Sequence, residues 1–135
     1  MNLKVISKAT VVNQYLPKKL TAKTTVTAFA PSNIALCKYW GKRDVELNLP
    51  LNSSLSISLG HLGSHTRISH SDSGGDVILL NTKEQALDSS FSRKILDFIA
   101  LFRRTQPLPL IIDTRNNIPT AAGLASSASG FAALM

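Results

Sequence analysis

An α+β domain, with helices on one face of a mixed sheet, is the fold class this sequence predicts. Three observations carry that expectation. Residues 51–59 alternate apolar and hydroxyl side chains with the period of a strand. From Asp88 onward the period lengthens to that of a helix, and Phe91, Ile95, Phe98, Ile99 and Phe102 fall on one face. After one more strand, a run of small residues at 119–129 turns from a loop into a second helix near Ser126. A chain of 135 residues, 44% hydrophobic and 17% charged, can bury a single-domain core without disulfides or metals.

The elements follow in order. Residues 1–23 hold Lys4, Lys8, Lys18, Lys19 and Lys23 and no acid, so most of the net charge of +7 belongs to this arm. It is too weakly apolar for a secretory signal and rich in Lys rather than Arg, which makes it a solvated basic extension ahead of a domain spanning 24–135. Residues 24–30 (TTVTAFA) are β-branched and aromatic and form a strand that Pro31 ends. Residues 34–40 are a short apolar run closed by Gly41, and Lys42, Arg43 and Asp44 make a polar turn. Leu55, Ile57 and Leu59 alternate with Ser54, Ser56 and Ser58, a half-buried strand whose second face is lined with hydroxyls.

Residues 66–69 and 77–80 add two strands around a turn-rich segment at 71–75. Asp88 or Ser89 caps the long helix, Arg103 and Arg104 suit its C-terminal end, and Pro107 and Pro109 close it. Residues 110–114 are a strand, which Asn116 to Pro119 leaves. The apolar finish at 131–135 has no C-cap glycine and no terminal basic residue. The chain is therefore expected to be the front part of a longer protein, truncated in or after its last helix.

Several function classes drop out. No apolar run approaches the ~18 residues of a membrane helix. Cys37 is the single cysteine, so no internal disulfide forms and a cytoplasmic setting is expected. His61, His65 and His70 have no zinc-type spacing with it. Tyr39 and Trp40 are the aromatics near basic residues, too little for a nucleic-acid face.

Two segments can carry chemistry. In PTAAGLASSAS, at 119–129, Gly123 permits backbone geometry closed to larger residues, and the alanines let a ligand approach the main chain. The free N–H groups of Ser126, Ser127 and Ala128 would face an anion at a helix start, with hydroxyls from Ser126 and Ser127 as donors or magnesium ligands. It is not a P-loop, since neither GxxxxGK[ST] nor GxGxxG occurs. A tightly packed helix start would use the same small residues. In 31–43, Lys38, Lys42 and Arg43 offer cations close to the phenol of Tyr39, and Gly41 lets the chain turn so that Tyr39 and Lys42 face one site. That suits a small polyanionic substrate, and equally a surface turn with lysines snorkelling around Trp40. Arg93 lies just inside a helix start, a poor place for a cation unless an anionic ligand is near.

Together, APSNIALCKYWGKRDVELNLPLNSSLSISL and NNIPTAAGLASSASGFAAL resemble the diphosphomevalonate decarboxylases of the GHMP kinase superfamily, over residues 26–135. The resemblance implies a ribosomal-protein-S5-domain-2-like N-terminal domain. It implies an enzyme, a lyase of isoprenoid biosynthesis that uses Mg-ATP to phosphorylate the tertiary hydroxyl of mevalonate 5-diphosphate. Loss of that phosphate with CO2 gives isopentenyl diphosphate. By the same resemblance Tyr39, Trp40, Gly41 and Lys42 contact the substrate diphosphate, and Arg93 also binds substrate. Gly123, Leu124, Ala125, Ser126 and Ser127 form the ATP-phosphate loop, with Ser127 the candidate ligand of magnesium. The family's catalytic aspartate and arginine are expected beyond Met135, so the chain alone should not turn over, and the whole enzyme is expected to be a homodimer. A related kinase that does not decarboxylate, or a non-catalytic phosphate-binding module, would retain the same two segments.

Overall fold

The computed structural model describes residues 6–17, 21, 23–103, 108–118 and 126–135. Along them run α1 (Lys8–Tyr15), β1 (Thr25–Cys37), β2 (Lys42–Asp44), β3 (Leu49–Pro50), β4 (Leu55–His70), β5 (Val77–Leu80), β6 (Lys83–Glu84), α2 (Ser90–Arg103), β7 (Leu110–Asn116) and α3 (Ser126–Ala132). Five strands form one sheet in the order β1-β4-β7-β5-β6, and β2 and β3 pair separately. β5 runs parallel to β7, and the other pairs are antiparallel, so the sheet is mixed as expected. The parallel pair follows from the connection: α2 carries the chain from one edge region of the sheet back to its middle, the crossover that parallel neighbours require.

The two helices share one face of this sheet. Ile95 and Ile99 of α2 pack with Ile78 of β5 and Ile112 of β7 as the buried core, with Phe91 and Phe98 packed against it. α3 meets α2 through Phe131, whose ring centroid lies 5.4 Å from that of Phe98. Ser89 is the N-cap of α2: its hydroxyl accepts from the N–H of Ser92 at 3.1 Å. The opposite face leaves Thr27, His65, Arg67 and Arg115 exposed. Helices on one face is thus the arrangement the sequence predicts.

The structure differs from expectation at several points, each with a physical cause. Pro31 does not end the first strand. β1 lies at the sheet edge, where a missing N–H removes a ladder bond on one side at most, so the strand continues to Cys37 past a register shift at Pro31/Asn33. Gly63 sits opposite Pro31, and a Cβ there would lie 2.1 Å from the Ala30 carbonyl oxygen. Residues 51–54 lie outside the strand expected at 51–59, and the separate strand expected at 66–69 is the far half of β4. Leu55 and Ile57, read as half-buried, are 60% and 55% exposed, because no layer of the described chain covers that end of the ladder. Lys42, Arg43 and Asp44 form β2 rather than a turn.

The basic extension is partly helical. Ser7 caps α1 by accepting from Thr10 N–H, and the Lys8 N–H donates to Glu46 Oε1 at 3.2 Å. No α1 residue is buried, in keeping with a solvated arm. Lys4, Lys18, Lys19, Arg104 and Pro107 lie outside the described residues.

The end of α2 is fastened by a bidentate ion pair. Arg103 donates to both carboxylate oxygens of Asp76, at 2.8 and 2.6 Å, and the Leu110 N–H donates to the same carboxylate at 2.9 Å. The Arg103 guanidinium first, then the Leu110 amide, hold the Asp76 carboxyl below its ordinary value against the opposing effect of burial. Asp76→Asn is expected to lower the unfolding free energy of the full-length protein by about 2 kcal/mol at neutral pH. A lowered folded value means the contribution is complete above about pH 4 and is lost as pH falls through the folded value. Urea denaturation should therefore show wild type and variant converging in acid; a difference that stays constant with pH would refute the role of the pair.

Candidate functional site

Beyond the register shift, β1 and the start of β4 leave the five-stranded sheet as a two-stranded ribbon in which Asn33 faces Ser58, Ile34 faces Ile57 and Ala35 faces Ser56. Opposite residues of a ladder share a face. One side of the ribbon is therefore apolar and exposed, and the other carries Asn33, Ala35, Ser56 and Ser58. Asn33, Ser54, Ser56, Lys38 and Tyr39 line an open pocket of about 400 Å³ with Ala35 at its base. Its polar groups are an amide, two serine hydroxyls, a phenol and one ammonium, with no carboxylate among them. Such a lining suits an anion bound through hydrogen bonds and one fixed charge.

The chain after Tyr39 turns back on itself. Gly41 has φ +81°, a left-handed conformation that favours glycine. The bend is closed by Trp40 N–H donating to Asn52 Oδ1 at 3.1 Å and by Leu51 N–H donating to the Gly41 carbonyl at 3.3 Å. Asp44 fixes the next turn by accepting from Leu47 N–H at 2.8 Å. Of the predicted segment, Tyr39 lines the pocket, Trp40 is 82% exposed, and Lys42 opens β2 with Pro50 as its partner. The expectation that Gly41 brings Tyr39 and Lys42 to one site is therefore half met: the cation that joins Tyr39 is Lys38.

A second cavity, of about 230 Å³, lies where α2, α3 and β7 meet. Phe91, Ile95, Phe131 and Leu134 give it apolar walls; Lys94, Thr114, Asn116, Ser126 and Ser127 supply its polar rim. An apolar slot with hydroxyls, an amide and a single ammonium at its mouth fits a flat heteroaromatic ring attached to phosphates. Ser126 and Ser127 open α3 here, as the sequence places them, while Gly123, Leu124 and Ala125 lie outside the described residues. Arg93 is exposed on α2 and lines neither cavity; its neighbour Lys94 does. The helical period could have found this, since Lys94 follows Ser90 by four residues and Phe91 by three, the spacing of one face.

A seam of buried hydroxyls joins the two regions. Ser129 of α3 lies 3.1 Å from the hydroxyl of Ser32 in β1 and 2.8 Å from that of Ser64 in β4, and Ser64 donates to Asn116 Oδ1 at 2.7 Å. No sequence signal marks these serines among the many others. Among the described residues no group of three His, Cys, Asp or Glu could hold a metal, and no helix is long and apolar enough to cross a membrane.

A mixed sheet with helices on one face, a ribbon that leaves it and a last helix packed beside α2 define a domain of the GHMP-kinase fold. Residues 30–135 match the model of the diphosphomevalonate decarboxylase-like N-terminal domain, and the chain belongs to that family. It is 44% identical to the diphosphomevalonate decarboxylase of Aspergillus fumigatus, over 81% of this chain and 31% of the relative. Mevalonate diphosphate decarboxylase from Staphylococcus aureus superposes with a TM-score of 0.72 at 37% identity, over 82% of this chain and 34% of that one. A structure of MDDEF in complex with MVAPP, AMPPCP and magnesium superposes with a TM-score of 0.68 at 39% identity, over 82% and 34% of the two chains. The chain thus spans about a third of the length of the relatives it matches.

Proposed function

We propose that this chain is the substrate- and nucleotide-binding part of an ATP-dependent diphosphomevalonate decarboxylase, with residues 24–135 as its N-terminal domain and 1–23 as an extension dispensable for activity. The observation that carries the reading is the position of Ser126 and Ser127, at the start of α3 and on the lining of the cavity between α2, α3 and β7. The neighbour solved with AMPPCP and magnesium supports ATP and Mg2+ as cofactors, and the MVAPP in the same complex supports a small phosphorylated substrate. Family resemblance supports a cytoplasmic homodimer as the whole enzyme.

On this reading the ribbon pocket holds the substrate diphosphate. Lys38 supplies a cation and Tyr39, Ser54 and Ser56 supply donors, and by family resemblance Trp40, Gly41 and Lys42 of the adjoining bend contact the same diphosphate. Fixed donors in place of mobile water lower the cost of holding a polyanion next to a second one. Ser126 and Ser127, with Gly123, Leu124 and Ala125 before them, hold the nucleotide phosphates, and Lys94 adds a cation at the same rim. Ser127 Oγ would be the protein ligand of a magnesium ion carried by those phosphates, and the ion would supply charge neutralisation there. The tertiary hydroxyl oxygen attacks the terminal phosphorus as its proton passes to the aspartate expected beyond Met135, and ADP leaves. The C–O bond to the new phosphate and the C–C bond to the carboxylate then break, the carboxylate's bonding pair becoming the C=C bond as CO2 departs. Arg93 is left out of this set because α2 turns Lys94, not Arg93, toward the cavity.

The full-length protein, given mevalonate 5-diphosphate and Mg-ATP, is expected to release ADP, phosphate and CO2 in equal amounts. ATP consumption without CO2 would replace this reading with a kinase, and no nucleotide use at all would leave a binding module. Ser127→Ala and Lys94→Ala are each expected to raise the KM for ATP about tenfold, the worth of one charge-assisted contact, with little effect on the KM for the phosphorylated substrate. Lys38→Ala and Lys42→Ala should do the reverse, raising the KM for mevalonate 5-diphosphate about tenfold and leaving that for ATP within about twofold. Wild-type constants in either pair would remove the assigned role.

A further inference from the structure

The hydroxyl seam beneath α3 has a direction, and the direction has a consequence for the nucleotide cavity. Ser32, Ser64 and Ser129 are 1%, 0% and 2% exposed, so each hydroxyl must find its partners within the protein. A hydroxyl has one proton to give and two lone pairs to receive. Ser64 gives its proton to Asn116 Oδ1. Its oxygen can then only accept from Ser129, 2.8 Å away, so the Ser129 proton points to Ser64. Ser129 in turn accepts from Ser32 at 3.1 Å, and Ser32 is the donor that begins the chain. The Ser126 carbonyl, 3.1 Å from Ser129 Oγ, shares the same proton, so Ser129 is tied at once to β4 and to the first turn of its own helix.

Two things are set by this relay. It ties α3 to β1 and to β4 at one point on the helix, three residues after Ser126 and two after Ser127. Hydrogen bonds tolerate only tenths of an ångström, whereas an apolar contact would let the helix slide or rotate. It also holds the Asn116 side chain, which accepts from Ser64 through Oδ1 and lines the cavity.

We propose that Ser129 is a positioning residue of the nucleotide site: through its contacts with Ser32 and Ser64, and through Ser64 with Asn116, it sets the rotation of α3, and hence the aim of Ser126 and Ser127, and holds Asn116 at the cavity wall. The proposal rests on the nucleotide reading above and extends it to a residue that does not touch the ligand.

Ser129→Ala in the full-length protein interrupts the relay in its middle and strands the Ser32 hydroxyl. The KM for Mg-ATP is expected to rise about tenfold while kcat and the KM for mevalonate 5-diphosphate stay within about threefold, because a misaimed site loses binding before chemistry. Ser32→Ala combined with Ser129→Ala removes the stranded hydroxyl and should recover the melting temperature lost in the single variant. The raised KM for Mg-ATP persisting in that double variant supports positioning. Its return to the wild-type value along with stability would overturn the proposal and leave a structural role only, as would an unchanged KM in the single variant. Wild-type protein that never binds Mg-ATP would overturn the nucleotide reading itself, and this proposal with it. Should Ser129→Ala fail to fold, the double variant and Ser32→Val, which breaks the relay at its first donor, carry the same comparison.

Discussion

Between Pro31 and Asn33 the pairing of β1 slips from Gly63 to Ser58 on β4, and the ribbon that carries the first pocket begins at that slip, one residue from the serine that anchors α3. On one side of it the ladder belongs to the five-stranded sheet, covered by α2 and α3. On the other it is a free ribbon with a polar side and an apolar side. The slip is enforced sterically: the Ala30 carbonyl presses on residue 63 so closely that only glycine fits. A side chain there would push the strands apart and cost the sheet its edge and the ribbon its base together. The register change is therefore a feature that places function at a sheet end, as bulges commonly do.

Charge is distributed by the same economy. Several acids of the described chain are committed to structure: Asp76 to Arg103, Asp113 to Arg115, Asp44 to the Leu47 amide and Glu46 to the Lys8 amide. Neither cavity is lined by a carboxylate, and each has a lysine, Lys38 in one and Lys94 in the other. The net charge of +7 says little about this by itself, since most of it belongs to the arm. What matters for an anionic ligand is that local potential is positive where the pockets open and that the balancing acids are spent elsewhere.

The sequence was most legible where a local rule had no competitor. The bounds of β5, the Ser89 cap, the apolar face of α2 and the mixed sheet follow from period and capping alone. Pro31 misled because a proline rule for strands depends on whether the strand is at an edge, and edges are a property of the whole sheet. The alternation at Leu55 and Ile57 gave two faces correctly but could not say that neither helix would reach them. At the site, the Tyr39–Lys42 turn and the neighbouring cation Lys38 were visible in the sequence, whereas Ser56, with Ser54 beside it, reaches the pocket through cross-strand pairing that local pattern does not encode. Arg93 was named through family resemblance as a substrate residue, and Lys94, one 100° step further around the helix, is the one that lines the cavity beside α3. Ser32, Ser64 and Ser129 read as polar positions, and only their long-range meeting makes them a core.

Phosphoryl transfer between two polyanions needs the donor and acceptor held at a fixed separation and angle, and most of the rate comes from that placement. In this fold β1 is the common frame. Ser32 in β1 is bonded to the helix that begins with Ser126 and Ser127, and the next residue, Asn33, lines the ribbon pocket. The two proposed ligand sites are therefore fixed to adjacent residues of one strand, locked on one side by the backbone contact at Gly63 and on the other by the hydroxyl relay. A displacement of α3 changes the aim toward the nucleotide, and a displacement of the ribbon changes the aim toward the substrate. Because both are referred to the same two residues, the distance between the sites is set by local geometry rather than by the sum of many soft contacts.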